Sequence, residues 1–317
     1  MTAEISARLT RIPLKAQLFE RETYLREALA QAQELWGERT EALCRELALI
    51  LIKPDGIAFG QLPTVLSFLH SRGFHIVASA RPMLTRLHWR EMWRYQLTSA
   101  TLDRLAVNDL VLRGACVLLL LHRSRAGELP ASVELSVAKG SSDPRAQPAD
   151  CLRRALGQAN RVLSFIHVAD EPADLLRELG ILLDTPERQR VLRSAGQGEP
   201  ESEDRLALEE LATRSQAEAR PVDPQAALAR VGRRLDDLLQ DSSDDVRLVR
   251  RGLALMQRSE RIAWRPFAAA LSRLRVTVEH WDLAMLASQF IEYDEPGHPK
   301  RITAVEPSAW AGNPYPS

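Results

Sequence analysis

The spacing of apolar residues changes near residue 46, and the change divides the first part of the chain into two kinds of structure. Between residues 15 and 45, apolar side chains stand three or four positions apart with charged residues between them. This spacing predicts an amphipathic helix, with Leu25, Leu29, Ala32 and Trp36 on its apolar face. We expect the helix to pack on the core or on a partner.

Beyond residue 46, short apolar runs alternate with helical patterns. Four runs predict strands, since they are short, apolar and bounded by turn residues: LALILI, FHIVASA, ACVLLLLH and RVLSFIHV. Helical patterns lie at residues 63–71, 88–95 and 102–112, and a last helix begins near Pro172, a residue suited to a first helical turn. This order predicts an α+β fold in which helices cover one antiparallel sheet.

The part of the chain after residue 190 has a different pattern. Residues 193–204 are small, polar and acidic, which is typical of a linker. Past them, apolar stripes at helical spacing predict four amphipathic helices, each burying one face. We therefore divide the chain into an N-terminal helical extension (1–45), an α+β domain (46–190), a linker (191–222), a helical domain (223–292) and an irregular, Pro-rich tail (293–317).

The composition argues against nucleic-acid-binding, membrane and secreted proteins. Lysine plus arginine number 42, as do aspartate plus glutamate, so no net charge attracts a nucleic acid. The longest apolar run, residues 115–121, is too short to cross a bilayer, and the first 25 residues lack the apolar core of a secretory signal. Three cysteines without metal-ligand spacing indicate reduced thiols. We expect a cytoplasmic protein with no nucleic-acid or membrane partner.

Three short motifs, taken in order, resemble those of a known family. Residues 52–60 read IKPDGIAFG, a strand end followed by a lysine-containing turn. Residues 140–144 read Gly-Ser-Ser-Asp-Pro, and residues 164–170 read Ser-Phe-Ile-His-Val-Ala-Asp, with Glu178 eleven positions after the histidine. Together they resemble the nucleoside diphosphate kinase family over about residues 47–183.

The resemblance implies a fold, a reaction and a nucleophile. The family fold is a four-stranded, antiparallel, ferredoxin-like sheet with helices on one face. The family reaction moves the γ-phosphoryl group of ATP, bound with Mg²⁺, through a phosphohistidine to a nucleoside diphosphate. His167 stands at the phosphate-carrying position, and Glu178 stands where the family has a glutamate. A histidine nucleophile needs one free ring nitrogen and an acceptor that holds the other, a role suited to Glu178. The metal is expected to be carried by the nucleotide, with no metal ligands from the protein.

Further candidates surround this pair. Lys53, at a strand end, is suited to stabilise a transferred phosphoryl group. Arg153 and Arg154 compete for one phosphate-binding position, because counting back from His167 selects Arg154 whereas the residues before it favour Arg153. Ser142 keeps a hydroxyl in the second motif, and Trp93 falls near the family's tyrosine beside the nucleophile. Asp170 and Ser164 are expected to be supporting residues, with Asp170 turning the chain and capping the next helix.

The sequence departs from the family at several of these positions. Ser164 replaces an asparagine, and Ala169 replaces a serine beside the histidine. Ser136 stands where the family has another phosphate-binding arginine, and Lys139, one turn later, is the candidate to compensate. Residues 97–102 contain no aromatic ring to stack on a nucleobase, a contact worth about 1–3 kcal/mol per base in single-stranded nucleic-acid proteins.

These observations leave three functions open. The first is a phosphotransferase that uses ATP and a phosphohistidine, with an acceptor that differs from an ordinary nucleoside diphosphate. The second is a nucleotide-binding scaffold or sensor with weak catalysis, whose helical extensions bind a partner. The third attacks a different phosphorus of ATP and releases AMP in place of ADP. In each case the expected partner is a nucleotide, together with a second copy of the chain or a protein bound through the extensions.

Overall fold

The computed structural model of the protein describes residues 8–123, 129–198, 202–236 and 243–311. Its centre is a four-stranded sheet made of β1 (Leu47–Ile52), β2 (His75–Ala80), β5 (Val117–His122) and β6 (Ile166–Val168). The strand order is β2-β5-β1-β6, and all three neighbouring pairs are antiparallel. A separate ribbon joins β3 (Met83–Leu84) to β4 (Gly114–Ala115). The predicted antiparallel α+β sheet is confirmed.

Sixteen α-helices lie within the described residues, and their bounds follow the chain. Ten precede or surround the sheet: α1 Pro13–Phe19, α2 Thr23–Trp36, α3 Thr40–Glu46, α4 Pro54–Ala58, α5 Leu62–Ser71, α6 Arg86–Met92, α7 Leu102–Val111, α8 Ala131–Lys139, α9 Leu152–Ala155 and α10 Pro172–Leu182. Six follow: α11 Thr185–Gln197, α12 Ser202–Ala217, α13 Pro224–Asp236, α14 Asp244–Gln257, α15 Trp264–Arg273 and α16 His280–Gln289. None of the described helices has both the length and the apolar character needed to cross a bilayer.

Protein covers both faces of the central strand. Successive residues of a strand point to opposite faces, and all six residues of β1 are buried. Helices α8 and α10 pack on β1, and α11 packs on β2 and β5. The sheet with helices packed on it agrees with the fold that the resemblance implied.

The N-terminal extension forms three helices where one was predicted. A 3-10 turn at Gly37–Arg39 separates α2 from α3. The predicted apolar stripe is buried, with Leu25, Leu29, Ala32 and Trp36 each no more than 4% exposed. This stripe packs on α10 and α11, and the Trp36 indole donates a hydrogen bond to the carbonyl of Leu192 at 2.9 Å. The extension is therefore part of the same core as the sheet.

The segment predicted as a linker, residues 191–222, is mostly helical. Helix α11 continues to Gln197, and α12 occupies Ser202–Ala217. The polar composition of residues 193–204 was misleading because Ala195 and Ser194 are small residues buried against the sheet. The Ser194 hydroxyl donates a hydrogen bond to the carbonyl of Val77 in β2 at 2.8 Å.

The helical domain has its four helices at the predicted positions, and α15 and α16 pack against α7. The described part of the tail, residues 293–311, is irregular apart from a 3-10 turn at Pro307–Ala309 and one bridge between Asp294 and Ala100. This bridge brings the tail to the segment that precedes α7, close to the sheet edge where β6 lies.

Candidate active site

A cavity of about 600 Å³ opens beside β6 and collects most of the candidate residues. Its wall contains the end of α6, the faces of α7 and α8, the loop after α8, and the tail. The charged residues in the wall are seven cations, Lys53, Arg104, Lys139, Arg153, Arg161, Arg177 and Lys300, and three carboxylates, Asp170, Asp174 and Glu178. A chain of zero formal net charge therefore carries a cavity with an excess of positive charge, which suits an anionic ligand.

His167 lies in this wall with both ring nitrogens engaged. Its Nε2 is 2.8 Å from Oε1 of Glu178, and the indole Nε1 of Trp93 lies 3.3 Å from its Nδ1. Because an indole N–H can only donate, Nδ1 is an acceptor and the proton of the neutral ring is on Nε2, donated to Glu178. The predicted pairing of His167 with Glu178 is present in the structure. The indole contact of Trp93 was not predicted.

Helix α10 places Glu178 beside His167. Gly180, two residues after Glu178, allows this placement. Glu178 is 4% exposed, and its Oε2 is buried without a hydrogen-bond partner among the described residues. Two residues later, Gly180 packs directly on the carbonyl of Tyr24 in α2, where any Cβ would collide with the backbone. The glycine lets α10 lie against α2 and fixes the depth at which Glu178 reaches His167.

The backbone before His167 is held in an unusual conformation. Phe165 has φ +61°, a region that residues other than glycine rarely adopt, and the predicted strand over residues 161–168 shortens to three residues. The turn that follows β1 holds this conformation, since Lys53 N–H donates to the Phe165 carbonyl at 2.9 Å and Phe165 N–H donates to Asp55 Oδ2 at 2.9 Å. Gly56 leaves room for the same carbonyl. The first motif thus positions the segment that leads into His167, a role that sequence reasoning missed for Asp55.

Lys53 reaches the cavity wall but its ammonium is occupied by protein groups. It is 2% exposed and donates to Ser164 Oγ at 2.9 Å and to the Val162 carbonyl at 3.2 Å, with Asp55 Oδ2 at 3.4 Å. Burial lowers the pKa of Lys53, and Asp55 opposes this effect. Ser164 therefore acts as an acceptor for Lys53, so the two predicted residues lie together.

The structure distinguishes between the two arginine candidates. Arg153 lines the cavity and donates from Nη1 to the carbonyl of Gly140 at 2.9 Å, whereas Arg154 is exposed. Burial lowers the pKa of Arg153 to about 10, while Asp170 opposes the decrease. Ser142 also lines the cavity, and its carbonyl accepts a hydrogen bond from Gln158 at 2.9 Å. Arg153 is the arginine placed to meet a ligand.

We predicted that Asp170 caps the following helix, and this prediction is wrong. It accepts hydrogen bonds from Ser136 Oγ at 2.6 Å and Lys139 Nζ at 2.9 Å, and the N-cap residue of α10 is Glu171. Partial burial would raise the pKa of Asp170, but Lys139, Lys15 and these hydrogen bonds outweigh it and lower the pKa. Lys139 lines the cavity and is paired with Asp170. It therefore lies where the predicted compensation for Ser136 requires a cation.

Four further cations in or beside the cavity were not singled out from the sequence. Arg177 is 2% exposed, forms an ion pair with Glu22 and donates to the carbonyl of Glu91 at 2.7 Å, which fixes α6 and thus Trp93. Arg104 and Arg161 both bind Asp294 of the tail, and Lys300 of the tail joins them in the wall. No local pattern marks these residues because their partners are distant in sequence.

Within the described ranges, no three or more His, Cys, Asp or Glu side chains lie together as a group that could hold a metal ion. Two of the three carboxylates in the cavity wall, Asp170 and Asp174, are bound by Lys139 and Lys15. A cluster of protein ligands is not needed for a Mg²⁺ ion that substrate phosphates hold.

Residues 46–187 match the family model described as nucleoside diphosphate kinase. This match covers 142 of the 317 residues, so the region is similar to a nucleoside diphosphate kinase domain, and its antiparallel sheet agrees with that likeness. A thioredoxin domain-containing protein 3 homolog of Heliocidaris crassispina is 27% identical over 150 residues, which are 46% of this chain and 17% of that protein. The chain thus spans less than a fifth of the length of this relative.

Several solved structures with titles that name nucleoside diphosphate kinases are similar to part of the chain. The nucleoside diphosphate kinase of Aquifex aeolicus is 20% identical with a TM-score of 0.38, covering 45% of this chain and 97% of its own. The enzyme of Encephalitozoon cuniculi is 18% identical with a TM-score of 0.37, covering 45% and 91%. The Halobacterium salinarum protein, solved in complex with CDP, is 16% identical with a TM-score of 0.37, covering 45% and 90%.

Proposed function

We propose that the protein is a phosphotransferase that uses ATP as donor and His167 as a transient phosphate carrier. The observation that carries this proposal is the 2.8 Å contact between His167 Nε2 and Glu178 Oε1. It fixes the proton on Nε2, so the lone pair for attack is on Nδ1. The cationic wall of the same cavity supports the proposal further, because phosphoryl transfer depends mostly on positioning and on stabilising spread negative charge.

The proposed reaction has two balanced steps. In the first, His167 Nδ1 attacks the γ-phosphorus of ATP, a P–N bond forms, the bond to the bridging oxygen breaks, and ADP leaves. In the second, an oxygen of the acceptor attacks the same phosphorus, the P–N bond breaks, and the neutral imidazole returns. Glu178 accepts the Nε2–H bond throughout and stabilises the positive charge that develops on the ring.

The groups around the nucleophile have distinct parts in this proposal. Arg153 and Lys139 are cations at the wall, and Ser142 offers a hydroxyl beside them. Lys53 can bind phosphate only by exchanging one of its present acceptors, since an ammonium has three N–H donors. Trp93 must release Nδ1 before attack, so its indole contact opposes phosphorylation.

Acid-labile labelling tests the proposal directly. The full chain is incubated with Mg²⁺ and γ-³²P-labelled ATP, and the acid-labile, base-stable phosphate is counted. We expect label on the wild type and none on His167→Ala. The matched control is His122→Ala, because His122 also pairs with a glutamate, Glu46 at 3.3 Å, but is not part of the cavity wall. Equal labelling of wild type and His167→Ala would refute the proposal.

One observation favours a second candidate, a nucleotide-binding sensor. In the described structure Nδ1 of His167 is occupied by the Trp93 indole, so the ligand-free site is not ready for attack. Calorimetry with ATP and Mg²⁺ separates the two functions, because tight binding without label on His167 supports the sensor. Product analysis in the same samples addresses the third possibility, since release of AMP in place of ADP indicates attack at another phosphorus.

A further inference from the structure

The tail forms a fixed part of the cavity wall. It runs beside the segment before α7, where Glu295 N–H donates to the Ser99 carbonyl at 2.7 Å and Thr101 N–H donates to the Tyr293 carbonyl at 3.1 Å. Farther on, Arg301 N–H donates to the carbonyl of Tyr95 at 2.9 Å. These backbone bonds hold the tail on both sides of Lys300.

A second anchor lies near residue 310. Trp310 is 2% exposed, and its indole donates to Glu171 Oε1 at 2.9 Å, next to the start of α10. The guanidinium groups of Arg11 and Arg45 lie over its ring, 4.4 and 5.3 Å from the centroid. Since the tail is tied at Glu295 and again at Trp310, the residues between these points are held in the wall.

Three cations meet at this side of the cavity against one carboxylate. Arg161 Nη1 lies 2.8 Å from Asp294 Oδ2, and Arg104 Nη1 binds the other oxygen of the same carboxylate. Lys300 has no carboxylate of a described residue within ion-pair distance. Surrounding protein atoms, followed by Arg161 and Arg104, lower the pKa of Lys300, which shows that the cations repel one another.

The guanidinium groups of Arg104 and Arg161 each have N–H groups that donate to no described residue. Each uses one Nη on Asp294, and no described residue accepts a hydrogen bond from Nη2 of either arginine. The side chains are partly accessible, with 16% of Arg104 and 28% of Arg161 exposed, and both line the cavity. Free guanidinium N–H groups beside an unpaired ammonium match the oxygens of a phosphate, which accept such bonds in pairs.

We propose that Arg104, Arg161 and Lys300 form a second phosphate-binding subsite, supplied in part by the tail and separate from the groups around His167. A bound phosphate would neutralise the excess charge that Asp294 leaves. The segment 97–102, which lacks the aromatic ring that the family stacks on a nucleobase, is the segment to which the tail is bonded. A charged wall stands there in place of an aromatic platform.

The consequence for the substrate rests on the proposed function. If His167 carries a phosphoryl group, its donor or acceptor has a further phosphate that reaches this subsite. An ordinary nucleoside diphosphate lacks that phosphate. The chemical class is therefore a linear phosphate chain or a nucleotide phosphorylated at a second position.

Inorganic tripolyphosphate is the first probe, and its dissociation constant is measured by calorimetry on the full chain at one fixed salt concentration. Because Lys300 is exposed and unpaired, Lys300→Ala is expected to keep the fold, which the melting temperature checks. We expect Lys300→Ala to bind tripolyphosphate about fivefold more weakly, and Lys300→Arg to restore binding to within about twofold. The matched control is Arg251→Ala, which removes one exposed positive charge on α14, outside the cavity wall, and should change binding by less than about twofold.

Two results would overturn the subsite: Lys300→Ala binding tripolyphosphate within about twofold of the wild type, or Arg251→Ala losing as much affinity as Lys300→Ala. Comparing ADP with adenosine 3′-phosphate 5′-diphosphate then identifies the source. If the 3′-phosphate strengthens binding and this gain in affinity disappears in Lys300→Ala, the ligand is a nucleotide phosphorylated at a second position. If only the binding of tripolyphosphate depends on Lys300, the ligand is a phosphate chain. If the wild type is not labelled on His167 but these binding differences are still observed, the proposed phosphotransferase is refuted and the subsite is supported.

Discussion

Replacing Glu178 tests how much the orienting carboxylate contributes to phosphorylation of His167. The contact is short, 2.8 Å, and it is buried, with 14% of the His167 side chain and 5% of the Glu178 side chain exposed. A hydrogen bond to a charged group contributes about 1.5–3 kcal/mol in such surroundings. If that contribution is fully expressed in the transition state, Glu178→Ala should label about tenfold to about 150-fold more slowly than wild type. Glu178→Gln keeps an acceptor oxygen without the charge and should fall between them.

The assay is a single-turnover time course with excess protein over γ-³²P-labelled ATP, followed as acid-labile phosphate. A matched control is Glu46→Gln, which removes the carboxylate from the other His–Glu pair, at His122, and should leave the rate unchanged. Because Glu178 is buried and bonded to His167, the melting temperature of each variant is measured to check that the fold is kept. A Glu178→Ala rate equal to the wild-type rate would show that the carboxylate has no part in orienting the nucleophile.

The remaining predictions concern the surroundings of the nucleophile. Trp93→Phe removes the indole N–H that occupies Nδ1 at 3.3 Å, a bond of about 0.5–1.5 kcal/mol, so phosphorylation should become about two- to tenfold faster, and a slower rate would contradict this role. Gly56→Ala places a Cβ 2.5 Å from the Phe165 carbonyl and should lower the free energy of unfolding in urea by about 1–3 kcal/mol, whereas Gly232→Ala, with no atom within 4 Å, should not lower it. Asp170 has a lowered pKa, so it contributes stability above about pH 4 that is lost as the pH falls through its folded value. Asp170→Asn should therefore flatten the loss of stability on acidification in urea titrations, and an unchanged slope would refute this assignment.

The elements and the central pair followed from the sequence because both are local patterns. Alternation and helical spacing are set by backbone geometry, so β1 and the stripe of α2 were found at the predicted positions. Glu178 was paired with His167 because the family resemblance implies a glutamate eleven positions after the histidine, and the two side chains are in contact. The shortened β6 was not predicted, because the left-handed conformation of Phe165 depends on Asp55, 110 residues earlier.

The choice between Arg153 and Arg154 also required the fold, because adjacent residues on a short helix point in different directions and only packing decides which one faces the cavity. The part of the cavity wall that the tail forms could not be predicted from the sequence. Arg104 meets Asp294 across 190 residues, and no spacing rule connects positions so far apart. The sequence by itself determined the sheet, the amphipathic helices and the candidate nucleophile with its carboxylate. Tertiary structure decided which of the candidate cations line the cavity and which others join them, since that depends on how separately predicted elements pack together.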